Sequence, residues 1–198
     1  MTKSEVVNEL QYYQMYIGEI LSCYYFNEAI CDLADSKPNI VFKYGLCLST
    51  LSSALKYKSQ TVASILLCRI SRSKSIPKSI DRILCEKISD DLDAYKKIKT
   101  LLHDVNKLIE KNNDNILELR AYRDSVYAHF EQEIFDDKWQ ADFMKEHDLN
   151  FTKLKILCEN IFDIFSKILE ILDEEPFVKS LVNPSDISAF LDRIKGHN

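Results

Sequence analysis

Apolar side chains recur at three- and four-residue steps along most of the chain, which is the period of an amphipathic α-helix. The first stripe runs from Val6 to Cys31, and Thr2 and Glu5 before it have the spacing of a capping box. This stretch predicts one long helix. The helix should end before the Ser-Lys-Pro-Asn sequence at 36–39, because a residue that precedes proline is pushed out of the helical region.

A second apolar stripe from Val41 to Ile65 predicts another long helix. It should reach about Ile70 if it continues through residues 58–60. Serine and alanine residues beside this stripe are small enough to let a neighbouring helix approach closely. Two long helices joined by a short loop should form an antiparallel hairpin, here over residues 1–72.

Shorter helical patterns fill residues 77–172. A short helix is expected at 79–88, and Ser89 should cap the next one. That helix carries an inward apolar stripe and should end at residues 111–115, a Lys-Asn-Asn-Asp-Asn cluster of turn formers. His103 lies beside its stripe and is expected to have a structural role within or beside the core.

Further helices are expected after this turn. Asn150 should cap a strongly amphipathic helix that ends before Pro176, and residues 183–195 should form a last short helix. With only 3 glycines and 4 prolines in 198 residues, few long elements are favoured over a many-stranded sheet. The sequence therefore predicts an all-α helical bundle, a single domain spanning residues 1–198, with the long hairpin at its N-terminus.

Composition limits the classes of function. The net charge of -5 argues against a protein that coats nucleic acid along its whole surface, but it leaves room for a local site. No uncharged apolar run is long enough to span a membrane, and the N-terminus lacks the order of a signal peptide, so we expect a cytoplasmic location and no membrane partner. The six cysteines are scattered singly, which favours buried reduced thiols over disulfides or a zinc site.

The most basic stretch of the chain is residues 69–82, which contains five cationic side chains against one acid, Asp81. One interpretation is a solvated connector, since charge runs are usually exposed. The other is a patch that contacts phosphates, because lysine and arginine with interspersed serine donors suit a nucleic-acid backbone. The candidate RNA-contacting residues here are Arg69, Arg72, Lys74 and Lys78.

Residues 119–129, Leu-Arg-Ala-Tyr-Arg-Asp-Ser-Val-Tyr-Ala-His, are hard to explain by packing alone. If they are helical, Arg123 lies within an apolar stripe, and a guanidinium in that position needs a partner because arginine cannot neutralise. That stripe consists of Ile116, Leu119, Val126 and Tyr127. His129 follows six residues after Arg123, just before an acidic segment at 131–148.

This motif resembles the signature of the HEPN superfamily (higher eukaryotes and prokaryotes nucleotide-binding), in which Arg, a polar residue and a His after a short spacer end a helix of an all-helical bundle. With Ile-Phe-Asp-Asp-Lys-Trp at 134–139, it is similar to the AbiU-like branch associated with bacterial abortive infection. The resemblance implies a metal-independent endoribonuclease, or an inactive relative, without a cofactor. It also implies a homodimer whose two motifs meet at a cleft, with RNA as the substrate and an antitoxin or defence-system protein as a further partner.

The resemblance assigns roles by position. His129 would be the general acid/base, and Arg123 would stabilise the charge that builds on the phosphate. Asp124 would orient one of them or merely be exposed, and Tyr127 would stack on a base or pack in the core; Arg120 is a further candidate RNA contact. On a regular helix Arg123 and His129 lie roughly 240° apart, so the motif should end in a distorted turn or meet its copy across a two-fold axis.

Two observations leave alternatives open. The family's tyrosine two residues after the histidine, which antitoxins modify, is Glu131 here, and the acidic segment would repel phosphate unless it folds away. An inactive module that binds a nucleotide or a partner protein is one alternative. A purely structural bundle is another, with Arg123 in a salt bridge, for example to Glu118 of a second copy. A metal site at His129 and His147 has no diagnostic ligand spacing.

Overall fold

The computed structural model describes residues 1–36, 38–86, 90–127, 142, 146, 147, 149–177, 189 and 193. Within these residues the fold is all-helical and contains no strand. The elements are α1 (Lys3–Ser36), α2 (Pro38–Arg72), α3 (Ser75–Glu86), α4 (Leu92–Lys111), α5 (Asn113–Tyr122), a π-helical turn (Arg123–Tyr127) and α6 (Phe151–Ile171). None of these helices combines the length and the apolar character that crossing a bilayer requires.

The first two helices begin and end close to where the sequence predicts. The capping box is confirmed, because the backbone N–H of Thr2 donates to Glu5 Oε2 over 2.7 Å and that of Glu5 donates to Thr2 Oγ1 over 3.3 Å. Helix α1 ends at Ser36, and Pro38 begins α2, a position that tolerates proline because its missing N–H would have no helical partner. Helix α2 continues without a break to Arg72.

Contacts between α1 and α2 run along most of their length. The Arg69 guanidinium lies over the Tyr12 ring at 5.4 Å, and Lys58 Nζ is 3.2 Å from Glu19 Oε2. Ser52 Oγ donates to Asn27 Oδ1 over 2.5 Å. Residues further along α1 therefore contact residues earlier in α2.

One hydrophobic core draws on all six α-helices, and part of it lies where α1 packs against α6. Tyr13 and Phe165 stack with ring centroids 5.8 Å apart, and both rings are almost completely buried. Each fully buried large apolar side chain stabilises the fold by about 1.5–3 kcal/mol relative to an exposed one. The fully buried aliphatic side chains of this layer include Leu10, Ile17, Ile20, Leu21, Leu154, Ile161, Ile168 and Leu169.

A buried amide links α1 to the end of α6. Gln14 is fully buried, and its Nε2 donates to Ser166 Oγ over 2.7 Å. Its Oε1 accepts a hydrogen bond of 2.8 Å from the backbone N–H of Phe177, in the segment after α6. The side chain thus satisfies buried polar groups on two elements at once.

Two predicted helix starts are wrong. Helix α3 begins at Ser75 and not at 79, because Ser73 and Ser75 are held by Glu9 of α1 before the apolar face begins. Helix α4 is capped by Asp91, whose Oδ1 accepts from the backbone N–H of Ala94 over 2.9 Å, and not by Ser89. The local sequence offers two cap residues within three positions, and the acid next to the first turn is the one used.

The predicted turn at 111–115 reduces to a single residue. Asn112 separates α4 from α5, and its side-chain amide donates to the Leu108 carbonyl over 2.8 Å. Asn113 already belongs to α5, and Asn115 is buried. The asparagine cluster therefore bends the path between two helices and does not form a loop.

The predicted environments of the cysteines and of His103 are only partly correct. All six cysteines are free thiols, as predicted, but only Cys23 and Cys158 are buried, whereas Cys31, Cys47 and Cys85 are exposed. Burial raises the pKa of Cys158 to about 12. His103 is exposed on the surface of α4, so its predicted place within or beside the core is wrong. The neighbouring helices decide which side of a helix is covered, so a residue beside the apolar stripe can be either buried or exposed.

Two predicted features lie largely outside the described residues. In the acidic segment at 131–148, Asp142 and Glu146 are described, and both are exposed and helical. In the predicted helix at 183–195, residues 189 and 193 are helical. The cap of α6 is confirmed: Asn150 Oδ1 accepts from the backbone N–H of Lys153 over 2.9 Å.

Candidate functional site

Helix α5 presents the motif, and two hydrogen bonds fix its first turn. The Asn115 side chain donates from Nδ2 to the Asn150 carbonyl over 3.0 Å and accepts at Oδ1 from the Asn150 backbone N–H over 2.9 Å. The same Asn150 caps α6 with its side chain. The start of α6 and the start of α5 are therefore joined by one asparagine pair.

The inner side of α5 is apolar, as predicted. Leu119 is fully buried and Ile116 is 6 % exposed, so these two members of the predicted stripe are confirmed. The side chains of Val126 and Tyr127, the other two members, lie outside the description. Burial of this side directs Arg120, Arg123 and Asp124 toward the partly exposed surface of the helix.

The motif leaves α-helical geometry at Arg123. Residues Arg123–Tyr127 form a π-helical turn, in which hydrogen bonds span five residues and not four. The sequence required either a distorted turn or a two-fold axis to bring Arg123 and His129 together, and the distortion is present. His129 itself lies outside the described residues. Turns of this kind are rare and occur frequently at functional sites.

Arg123 has its ionic partner on the same helix. Its Nε donates to Asp124 Oδ1 over 2.7 Å, and its terminal NH2 group lies 2.5 Å from the same oxygen. The other carboxylate oxygen of Asp124 lies 3.6 Å from Nε of Arg120. One carboxylate therefore bridges two guanidinium groups, and the group of three carries one net positive charge. Of the alternatives for Asp124, the one in which it orients Arg123 agrees with this geometry.

Asp124 holds the Arg123 guanidinium in place, but the Arg123 side chain remains partly exposed. The side chain of Arg123 is 24% exposed and that of Asp124 is 45% exposed. Ion pairs at this level of exposure contribute about 0–1 kcal/mol to stability, because solvent screens them. The pair is therefore better suited to fixing the direction of Arg123 than to holding the fold together.

Glu118 does not pair with Arg123 within this chain. Its Oε2 lies 2.7 Å from Nδ1 of His147, and the Tyr122 ring lies edge-on to the imidazole with centroids 6.5 Å apart. At about 100° per residue, Arg123 lies about 140° around the helix from Glu118. The Glu118–His147 pair and the Arg123–Asp124 pair are thus on different sides of α5. No local pattern predicts the first pair, because its members are 29 positions apart.

The basic stretch at 69–82 does not form one continuous patch. The guanidinium of Arg69 lies over Tyr12, and Arg82 pairs with Glu86 at 3.7 Å and donates to the Met1 carbonyl. Arg72 and Lys78 are exposed, whereas Lys74 lines a cavity between the α2–α3 junction and α4. The predicted phosphate contacts therefore divide among several surfaces: Arg69 lines one pocket beside Tyr12, and Lys74 lines the cavity next to α4.

A carboxylate organises the α2–α3 junction beside this cavity. Both oxygens of Glu9 accept from Ser75 Oγ, at 2.9 and 2.8 Å, and Oε1 also accepts from Tyr13 at 2.7 Å and from Ser73 at 3.2 Å. Burial, and then the hydrogen bond to Glu9, raise the pKa of Tyr13 above its ordinary value. The network ties α1 to the first turn of α3 and gives the junction a fixed shape.

The described residues hold no cluster of three or more histidine, cysteine, aspartate or glutamate side chains that fits a metal ion. Of the predicted site residues, Arg120, Arg123 and Asp124 are brought together, whereas Arg69, Arg72, Lys74 and Lys78 lie apart from them on α2, on α3 and at their junction. Comparison of the chain with protein-family models, with curated proteins and with solved structures gives no significant match.

Proposed function

We propose that the protein is a metal-independent endoribonuclease of the HEPN type, AbiU-like, which acts in phage defence or as a toxin. The observation that carries the proposal is the Arg123 guanidinium, oriented by Asp124 and partly exposed at a π-helical turn that leads toward His129. A fixed cation beside a distorted turn suits a phosphate whose charge increases during the reaction.

In the proposed reaction the 2′-oxygen of RNA attacks the adjacent phosphorus, and the bond to the 5′-oxygen breaks. His129 takes the proton from the 2′-hydroxyl or supplies one to the leaving oxygen, since an imidazole can do either near neutral pH. Arg123 stabilises the charge on the non-bridging oxygens. The products are a 2′,3′-cyclic phosphate and a 5′-hydroxyl, and no metal takes part.

The finer description of the fold belongs to the same proposal. We interpret α1 and α2 as the long antiparallel hairpin of a HEPN-like bundle, supported by their contacts of opposite order: Tyr12 with Arg69, and Asn27 with Ser52. A homodimer would place two copies of the motif at one cleft, and its two-fold symmetry would bring each Arg123 toward the partner's motif.

One experiment tests the function. Purified protein and the His129→Ala variant are incubated with a labelled single-stranded RNA in EDTA, and the product ends are analysed for a cyclic phosphate. We expect cleavage by the wild type and none by the variant, with closely similar melting temperatures. Cleavage that requires a divalent ion, or that survives in His129→Ala, would contradict the mechanism. A large drop in melting temperature would make His129 a structural residue.

The second candidate is an inactive HEPN-like module that binds a nucleotide or a partner protein, such as an antitoxin or another defence component. The observation that favours it is the neutralising effect of Asp124, which lies within 3.6 Å of one arginine and 2.7 Å of the other. A carboxylate in that position competes with a phosphate for the guanidinium groups. A folded dimer that binds RNA or a nucleotide and does not cleave would favour this candidate.

A further inference from the structure

A cavity of about 650 Å³ lies between the α2–α3 junction and the C-terminal half of α4. Its volume is within the range of small-molecule sites, which is roughly 300–1,000 Å³. Buried Ile109 and half-buried Pro77 supply apolar surface. Asn113, the first residue of α5, lines the cavity. Arg123 lies ten residues later in the chain, which corresponds to about 15 Å at 1.5 Å per residue.

The polar lining comes from two directions. Helix α4 contributes residues 103, 106 and 110, which recur at three- and four-residue steps and so share one face. The α2–α3 junction contributes Lys74, together with Ser71 and Ser73. The Ser71 hydroxyl donates to the Cys68 carbonyl, and the Ser73 hydroxyl donates to Glu9. Their oxygens therefore remain available to accept hydrogen bonds from a ligand.

Five of the lining side chains have no hydrogen bond or ion pair to any other part of the described chain, in contrast to the serines. They are Lys74, His103, Asn106, Glu110 and Asn113. A lysine, an imidazole and two amides supply several donors, and Glu110 supplies one anionic acceptor. All five side chains are exposed to solvent and therefore accessible to a ligand, whereas some other surface lysines, such as Lys96, Lys107 and Lys155, pair with neighbouring acids.

We propose that this cavity binds the phosphate of a ribonucleotide through Lys74 and His103. Lysine is a compact cation that binds phosphate as a point charge, and the imidazole N–H adds a directed hydrogen bond. Asn106 and Asn113 then contact the base or the sugar, and Glu110 accepts from a ribose hydroxyl. A bare anion would not use Glu110, so the mixture of donors with one carboxylate selects a phosphate ester that also carries hydroxyl groups.

The phosphate has two chemical sources, a free nucleotide or a strand of RNA that continues toward Arg123. The proposed site is a separate cavity, so binding there does not require that the protein cleaves RNA. Binding is therefore measured with an RNA whose 2′-oxygens are methylated, because that strand lacks the attacking hydroxyl and stays intact whether or not the protein is a nuclease.

The experiment follows the Cε1–H resonance of His103, assigned with the His103→Gln variant, during titration with inorganic phosphate, uridine monophosphate and the methylated RNA. We expect a saturable shift with uridine monophosphate or RNA and a weaker affinity for inorganic phosphate. Lys74→Gln should weaken binding about tenfold or more, as expected for loss of a charge-assisted contact. Lys96→Gln, at an exposed lysine of α4 outside the cavity lining, is the matched control and should change the affinity less than twofold.

The outcomes separate cleanly. Saturation by uridine monophosphate identifies a nucleotide site, and saturation by RNA alone identifies a contact for a strand. A His103 resonance that moves with none of the three probes overturns the proposal, and so does an equal loss of affinity in Lys74→Gln and Lys96→Gln. Circular dichroism of both variants shows whether the helices are intact, and Lys74→Arg, which keeps the charge, should retain binding.

Discussion

Arg123 donates from Nε to Oδ1 of Asp124, its neighbour in sequence, over 2.7 Å. Adjacent residues of a regular α-helix point about 100° apart, so this contact uses the flexibility of both side chains at the point where the helix changes to π geometry. The orientation of the guanidinium is thereby set within the motif itself and does not depend on a distant acid.

Replacing Asp124 by Ala should release both arginines. Because the pair is half-exposed, we expect the free energy of unfolding to change by less than about 1 kcal/mol. Under the nuclease proposal, RNA cleavage should fall about tenfold or more as Arg123 loses its fixed direction. Rates of cleavage and urea unfolding curves measure the two effects. An unchanged cleavage rate would remove Asp124 from the mechanism.

Arg123→Lys tests the planar fork of the guanidinium. Lysine keeps the charge but cannot make two parallel hydrogen bonds, so cleavage should fall about tenfold or more with little change in melting temperature. Arg82→Lys is the matched control, because Arg82 lies on α3, outside the motif, and pairs with Glu86 at 3.7 Å. Similar rates for both variants and the wild type would contradict the role of Arg123.

Asn115→Ala should destabilise the protein by about 1–3 kcal/mol, since it removes two hydrogen bonds to Asn150 and leaves half-buried backbone groups unpaired. Asn113→Ala, two residues earlier and exposed, should have a much smaller effect. Thermal and urea unfolding of both variants measure the difference. Equal stability of the two variants would show that the asparagine pair does not anchor α5.

Cysteine reactivity tests the packing of α1 and α6. The thiolate is the reactive form, and burial raises the pKa of Cys158 to about 12 and raises that of Cys23 above its ordinary value, so both thiols stay protonated at pH 8. Iodoacetamide should label Cys31, Cys47 and Cys85 in the native protein and the buried pair only in denaturant. Mass spectrometry of the peptides identifies the sites, and rapid native labelling of Cys158 would contradict the packing.

The sequence predicts the long helices well because their signals are local. A capping box, a proline and an apolar stripe determine α1 and α2 without reference to the rest of the chain. The early start of α3 could not be predicted in the same way, because Glu9, which holds Ser73 and Ser75, is more than sixty residues away. The choice of Asp91 as the cap of α4 follows from which of two nearby candidates reaches the first turn.

The same distinction between local signals and contacts over long sequence distances applies to the candidate site. The need of Arg123 for a partner follows from its place on an apolar stripe, and Asp124 is one of the candidates that the sequence offers, but the choice among them depends on a turn whose geometry is not encoded in residue periodicity. The pairing of Glu118 with His147 and the cavity around Lys74 and His103 join segments about thirty residues apart. Such contacts depend on how helices pack, and no spacing rule predicts them.

The π-helical turn at Arg123–Tyr127 holds one residue more than an α-helical turn would. In a helix, one inserted residue corresponds to a rotation of about 100° relative to an uninterrupted α-helix. Loss of a single residue between 123 and 127 should therefore restore α-helical hydrogen bonding in this turn and change the directions of the side chains within it. The directions in which the side chains of the turn point thus depend on the number of its residues as well as on their chemistry.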